Sequence, residues 1–160
     1  MNAISLSRLL TAGALALSIH TAFAADTEPS PATADKLAPA RAQIAAKNWA
    51  GAIDELKRVN DTGSADWNNL MGYSLRKQKT PDLAGSEKYY NEALHIDPKH
   101  RGTLEYSGEL YLMKGDLATA EKRLAALDKA CTLPCAEYTA LKQSIARYKA
   151  GGNKSASSDY

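Results

Sequence analysis

Residues 101–134, RGTLEYSGELYLMKGDLATAEKRLAALDKACTLP, decide the fold. One apolar stripe runs through Leu104, Gly108 and Tyr111, a second through Ala120, Leu124 and Leu127, and Gly115-Asp116 stands between them. Spacings of three and four put each trio on one face of a helix. Gly followed by Asp closes one helix in a left-handed cap and opens the next. The second stripe has echoes upstream: Ala52, Ser86 and Ala120 are spaced by 34 residues, as are Leu56, Tyr90, Leu124 and Val59, Ala93, Leu127. A period of 34 with helical spacing inside it marks stacked helix–turn–helix units. Such units ordinarily bind other proteins and perform no chemistry.

From about Asp35 to Tyr148 the chain shows no strand alternation and breaks into seven helical stretches. The first is expected over about Asp35–Lys47, with Pro39 in its first turn. The second covers about Trp49–Val59 and ends at Asn60-Asp61-Thr62-Gly63-Ser64. Asp66 is expected to cap the third, which carries Trp67, Leu70, Met71, Tyr73 and Leu75 and ends near Lys79. Thr80-Pro81-Asp82 opens the fourth, with Thr80 as cap, and Asp97-Pro98 stops it after Ile96. The fifth spans about Lys99–Lys114, and the sixth runs from its cap Asp116 to about Cys131. The seventh, Cys135–Lys149, has a single stripe of Tyr138, Leu141, Ile145 and Tyr148, the form expected of a terminal capping helix.

These positions resemble the tetratricopeptide repeat family, whose repeat carries Leu-Gly and Tyr in its first helix and Ala, an aromatic residue, Ala and Pro in its second. Residues 101–134 match through Leu104, Gly108, Tyr111, Ala120, Leu124 and Leu127, with Thr132 at the final proline position and Pro134 two residues later. The unit ending at Pro98 matches through Met71-Gly72, Leu75, Ser86, Tyr90 and Ala93. Its turn at Lys79-Thr80-Pro81 reads as two residues longer. The first unit fits through Ala40, Trp49, Ala52, Ile53, Leu56 and Val59 but lacks the Leu-Gly pair. The resemblance implies an all-α solenoid of three helix pairs, at about 33–65, 66–98 and 101–134, with a capping helix at 135–149. It makes Ala52, Gly72, Ser86, Tyr90, Ala93, Gly108, Tyr111, Ala120 and Leu124 core positions. Gly72 and Gly108 are there to let the second helix of the same pair approach closely.

In this family the first helix of each pair lines a concave groove that holds a peptide or protein. Carried over by position, the groove takes Leu37, Arg41 and Ile44, then Asn69, Tyr73, Arg76 and Lys77, then Glu105, Glu109 and Leu112. The partner-binding candidates among these are Arg41, Asn69, Tyr73, Arg76, Glu105 and Glu109; the alternative for Arg41, Arg76, Glu105 and Glu109 is that they are part of solvated helix faces. The chaperone-binding subset clamps a terminal carboxylate with Lys and Asn side chains. Here the corresponding pairs are Leu37 with Arg41, Asn69 with Tyr73, and Glu105 with Glu109, so that pattern is absent. Tyr89 should leave the core face, either exposed or packed on the fifth helix.

Cys131 and Cys135, with Pro134 turning the chain between them, read as a disulfide. The alternatives are a Cu(I) or zinc site and a redox-active dithiol. His95 and His100, flanking the Asp97-Pro98 turn, read as exposed or capping residues. No phosphate-cradling glycine loop, paired-histidine zinc-protease motif or nucleophile elbow is present. No enzyme activity, cofactor or metal is therefore expected.

Residues 1–24 read as a secretory signal peptide: Arg8, an apolar run over Leu9–Ile19, and Ala22-Phe23-Ala24 before the cut. The run falls short of the about 20 apolar residues that span a bilayer. Residues 25–34 read as a flexible leader and 150–160 as a disordered tail. The formal charge of +2 across 160 residues, with no basic cluster, gives no nucleic-acid footprint. The expectation is a periplasmic or secreted adaptor or scaffold for a peptide or protein partner, with no stable membrane insertion. An accessory subunit of an envelope complex is the further alternative. No residue pattern signals an oligomeric state.

Overall fold

The computed structural model describes residues 35–133 and 135–152. The expected signal peptide and leader, Pro134 and residues 153–160 lie outside them. The described residues form seven α-helices and no strand: α1 (Ala38–Ala45), α2 (Trp49–Val59), α3 (Ala65–Lys77), α4 (Leu83–Ile96), α5 (Arg101–Met113), α6 (Leu117–Ala130) and α7 (Ala136–Ala150).

The helix starts have a common chemistry. Asn48, Ser64, Asp82, His100 and Asp116 each accept a hydrogen bond from the backbone N–H three residues on, satisfying a donor the helix leaves orphaned. Two expected caps are thereby corrected: Ser64 caps α3 in place of Asp66, and Asp82 caps α4 in place of Thr80. His100 caps α5, one of the two roles expected of it. Asp82 wins because its carboxylate reaches Gly85 N at 2.8 Å, which leaves Pro81 ahead of the cap. The α3–α4 connection is residues 78–82 against 114–116 for α5–α6, the two-residue extension expected there. Gly115, at φ +79°, takes the left-handed position after α5, and Asp116 N donates to Tyr111 O at 2.8 Å. The first helix is shorter than the expected 35–47, and the last runs on to Ala150.

Successive helices pack on one another, and α1, α3, α5 and α7 also touch in series. By contrast α2, α4 and α6 touch only the helices immediately before and after them. One layer therefore has its helices side by side, and the other has them splayed.

Burial gathers in two apolar clusters. Leu37, Ala40, Ile53, Leu56, Trp67, Leu70 and Met71 form one, and Leu104, Leu112, Ala120, Leu127, Leu141, Ile145 and Tyr148 the other. Trp67 is tied in further by Nε1 donating to Leu56 O at 2.7 Å. Ala52, Ser86, Tyr90, Ala93 and Ala120 are fully buried, whereas Tyr111 and Leu124 are half-buried. A Cβ on Gly72 would sit 2.7 Å from the Tyr90 ring, the close approach of α4 expected at that glycine. Gly108 departs from expectation: its nearest neighbour is Leu141 of α7, at 2.5 Å from where a Cβ would stand, and not a side chain of α6. The reason is that α5 packs against α7 as well as α6, and Leu141 fills the space the glycine opens.

Cys131 and Cys135 are joined, with Cα atoms 5.9 Å apart, where α6 ends and α7 begins. The loop closed is short, so a Cys131→Ser, Cys135→Ser variant is expected to lose about 2 kcal/mol of unfolding free energy. Urea unfolding reads this as a lower midpoint at unchanged slope. Among the described residues no helix is long and apolar enough to cross a membrane.

Candidate functional site

Each odd-numbered helix turns polar and aromatic side chains to the shared layer. Tyr73 of α3 and Tyr106 of α5 stack with ring centroids 4.5 Å apart, and Trp49 at the start of α2 meets Tyr73 edge-on at 5.8 Å. Beneath the two tyrosines lies Arg76, its guanidinium carbon 5.5 Å and 5.8 Å from their ring centres. Arg76 was expected to face a groove, yet none of its side chain is exposed. It is buried because a carboxylate from the next helix meets it: Arg76 Nη2 donates to Glu109 Oε2 at 2.8 Å, and Nη1 lies 3.9 Å from Met113 Sδ. Ser144 of α7 donates to the other Glu109 oxygen at 3.2 Å and accepts from Arg147 at 2.9 Å. This network links α3, α5 and α7. Burial works against the Arg76 charge, and Tyr90 and Glu109 outweigh it, so its pKa rises.

The layer also opens into a cleft of about 680 Å³, lined by side chains from Arg41 of α1 to Ala140 of α7 and sharing Tyr106 with this network. Its rim is ion-paired. Arg41 lies 3.3 Å from Asp35 and 3.7 Å from Asp66, His100 Nε2 is 3.1 Å from Asp66, and Arg101 is 3.8 Å from Glu137. Its inner wall differs. Glu105 is half-buried and has no cation at ion-pair distance among the described residues. Burial first, then the charges of Glu109 and Glu137, push its carboxyl up to about 7. The Tyr106 hydroxyl beside it is pushed up to about 12, by burial and then by Glu105. Asn69 lines the same cleft at 6% exposure, and its side-chain oxygen is buried with no hydrogen bond.

The raised Glu105 carboxyl makes a pH prediction with a definite sign. The unfolded chain releases this proton near 4.5 and the folded chain near 7, so the fold binds the extra proton between those values. Stability therefore falls as pH rises through that window, and above it the charged side chain is a constant burden. Glu105→Gln should match wild type near pH 4 and exceed it by about 1–2 kcal/mol at pH 8, a figure already reduced for partial exposure. Paired urea titrations at the two pH values check it. Groups that do not interact with Glu105 cancel in the difference.

Of the six expected groove residues, Arg41, Glu105 and Asn69 line the cleft, while Tyr73, Arg76 and Glu109 do not line it and belong to the stacked and ion-paired network. Leu37 and Leu112 are core residues. Tyr106 and Glu137 were missed. Tyr89 packs against α3, its ring 5.7 Å from Trp67, and helps line a separate pocket of about 460 Å³ with Lys57, Asn68, Met71 and Lys88. His100 acts as a cap, and both cysteine sulfurs are committed to the disulfide. No group of three or more His, Cys, Asp or Glu among the described residues could hold a metal ion.

Comparison with known protein families, curated proteins and solved structures finds no match.

Proposed function

We propose that this chain is an exported tetratricopeptide-type adaptor: a right-handed helical stack that holds a peptide or protein partner along α1, α3, α5 and α7 and carries out no reaction. The observation that carries this reading is the continuous layer those four helices make, with an open cleft across it. The 34-residue spacing of the caps Asn48, Asp82 and Asp116 supports the repeat. A disulfide suits an oxidising compartment such as the periplasm or the cell exterior. Tyr106, which lines the cleft, is held by its stacking on Tyr73, so little of its side-chain entropy is lost when a partner docks. The surface is short, and the affinity expected of it alone is modest.

A second reading, an accessory subunit that docks by its other side, is favoured by the Trp67–Tyr89 pocket. Site-specific photocrosslinking in the native envelope separates the two. A benzoylphenylalanine at Ala140 reports the cleft, and one at Lys88 reports the other pocket. A partner trapped from Ala140 alone is the expected result. Trapping from Lys88 alone would transfer the interface to the α3–α4 side.

A further inference from the structure

The pocket between α2, α3 and α4 shares only α3 with the cleft, and its charges do not balance. Lys57 lines it from α2, Lys88 and Glu92 from α4. Both lysines are exposed, and among the described residues neither side chain has a hydrogen bond or a carboxylate at ion-pair distance. Lys114 and Lys149, by contrast, are each met by a glutamate. Two ammonium groups against the one Glu92 carboxylate leave a single positive charge over. The wall between them is fixed in advance. Trp67 Nε1 donates to Leu56 O at 2.7 Å, and the Tyr89 ring stands edge-on to Trp67 at 5.7 Å. The Asn68 amide nitrogen donates to Thr62 O at 2.7 Å and to Ser64 O at 2.9 Å, which ties the α2–α3 turn to α3. Met71 adds a polarisable thioether to the same wall. A hollow set before binding costs a ligand little ordering. Its volume of about 460 Å³ lies within the range of about 300–1,000 Å³ usual for small-molecule sites.

We infer that this pocket binds a small aromatic monocarboxylic acid, its ring against Tyr89, Trp67 and Met71 and its carboxylate between the Lys57 and Lys88 ammonium groups. The aromatic residues and the thioether favour an aromatic body, which they can meet edge-on or in offset contact. The single charge left over matches one carboxylate. A phosphate carries close to two charges, and no arginine lines the pocket to grip it bidentately. A cation is turned away by the two lysines. The inference stands apart from the groove reading, since the cleft and this pocket have no lining residue in common.

The test is a nuclear magnetic resonance titration of the purified protein with hydrocinnamate. Hydrocinnamamide, which keeps the ring and lacks the charge, is the control. The expected result is saturable movement of the Asn60, Asn68 and Tyr89 amide signals and of the Trp67 indole signal, at the millimolar affinity of so small a probe. The amide should bind at least about tenfold more weakly, the loss of charge-assisted hydrogen bonds. Lys57→Met with Lys88→Met should weaken hydrocinnamate by a similar factor. Methionine keeps the stem at two exposed positions, so the loss of binding is not a loss of fold. Lys129→Met, which removes an exposed charge outside the pocket, should bind as wild type does. Equal affinity for the amide, an unchanged affinity in the double methionine variant, or no saturable shift at these residues would each overturn the inference. So would the capped dipeptide acetyl-Phe-Glu-amide binding at least about tenfold more tightly than hydrocinnamate, since the pocket would then belong to a partner polypeptide.

Discussion

Glu109→Ala is expected to remove about 3–5 kcal/mol of stability, the largest loss available from a single polar residue in this fold. The Glu109 side chain is 12% exposed and its partner Arg76 is not exposed at all. Truncating the carboxylate strands a buried guanidinium whose Nε already has no hydrogen bond. The Tyr73 and Tyr106 rings cover one side of the guanidinium, its carbon 5.5 Å and 5.8 Å from their centres. Arg76→Met should cost less, because Glu109 keeps the Ser144 hydrogen bond and sits nearer the surface. The double variant Arg76→Met, Glu109→Leu should recover most of the loss, since a buried pair replaced by apolar side chains of similar size is often neutral. Chemical unfolding of wild type, Arg76→Met, Glu109→Leu and that double variant forms a double-mutant cycle, with Glu109→Ala measured beside it. A Glu109→Ala cost below about 1 kcal/mol would mean that Arg76 is in fact hydrated. Added salt should change little, because screening acts weakly on buried pairs.

That pair also shows what could and could not be read in advance. The periodic features were legible: seven helices, the long α3–α4 turn, the Gly115 stop and the disulfide all follow from local patterns. The caps were half legible. Asn48, Asp82 and Asp116 share the 34-residue period, but Thr80-Pro81 offered a competing start, and only the reach of Asp82 to Gly85 decides between them. What periodicity hides is pairing between helices. Arg76 looks like a surface residue on its own helix, and it becomes a core residue only because Glu109, on the neighbouring α5, neutralises it.

Tyr106 was hidden for a related reason. Gly72 and Gly108 are 36 residues apart, so matching the two units places Tyr106 opposite Leu70, an apolar position that draws no attention. Its stacking on Tyr73 arises from the approach of α3 and α5 rather than from equivalent places in a repeat. Gly108 and Leu141 make the same point in the core. A rule about pairs within a unit does not foresee α7 supplying the side chain that fills the gap.

Gly72 is where the pairing rule holds, and there it makes a strong prediction. A Cβ at that position would stand 2.7 and 2.8 Å from two Tyr90 ring atoms and 3.1 Å from the Ser86 backbone oxygen. Tyr90 is fully buried and its ring is rigid, so α3 and α4 must move apart or the ring must leave its rotamer. Gly72→Ala is therefore expected to cost about 1–3 kcal/mol, and Gly72→Leu more. Tyr90→Ala should cost about 3–5 kcal/mol through the cavity it opens. The two effects share one space, so they cannot add. In a Tyr90→Leu background, with the ring gone, Gly72→Ala should lose most of its penalty, and the cycle should show coupling of about 1–2 kcal/mol. Thermal unfolding of the four proteins measures it. At Gly108 the three nearest atoms all belong to the Leu141 side chain, which can rotate where a ring cannot, so Gly108→Ala should be the milder of the two. The reverse order would mean that Leu141 is held as rigidly between α5 and α7 as the Tyr90 ring is between α3 and α4.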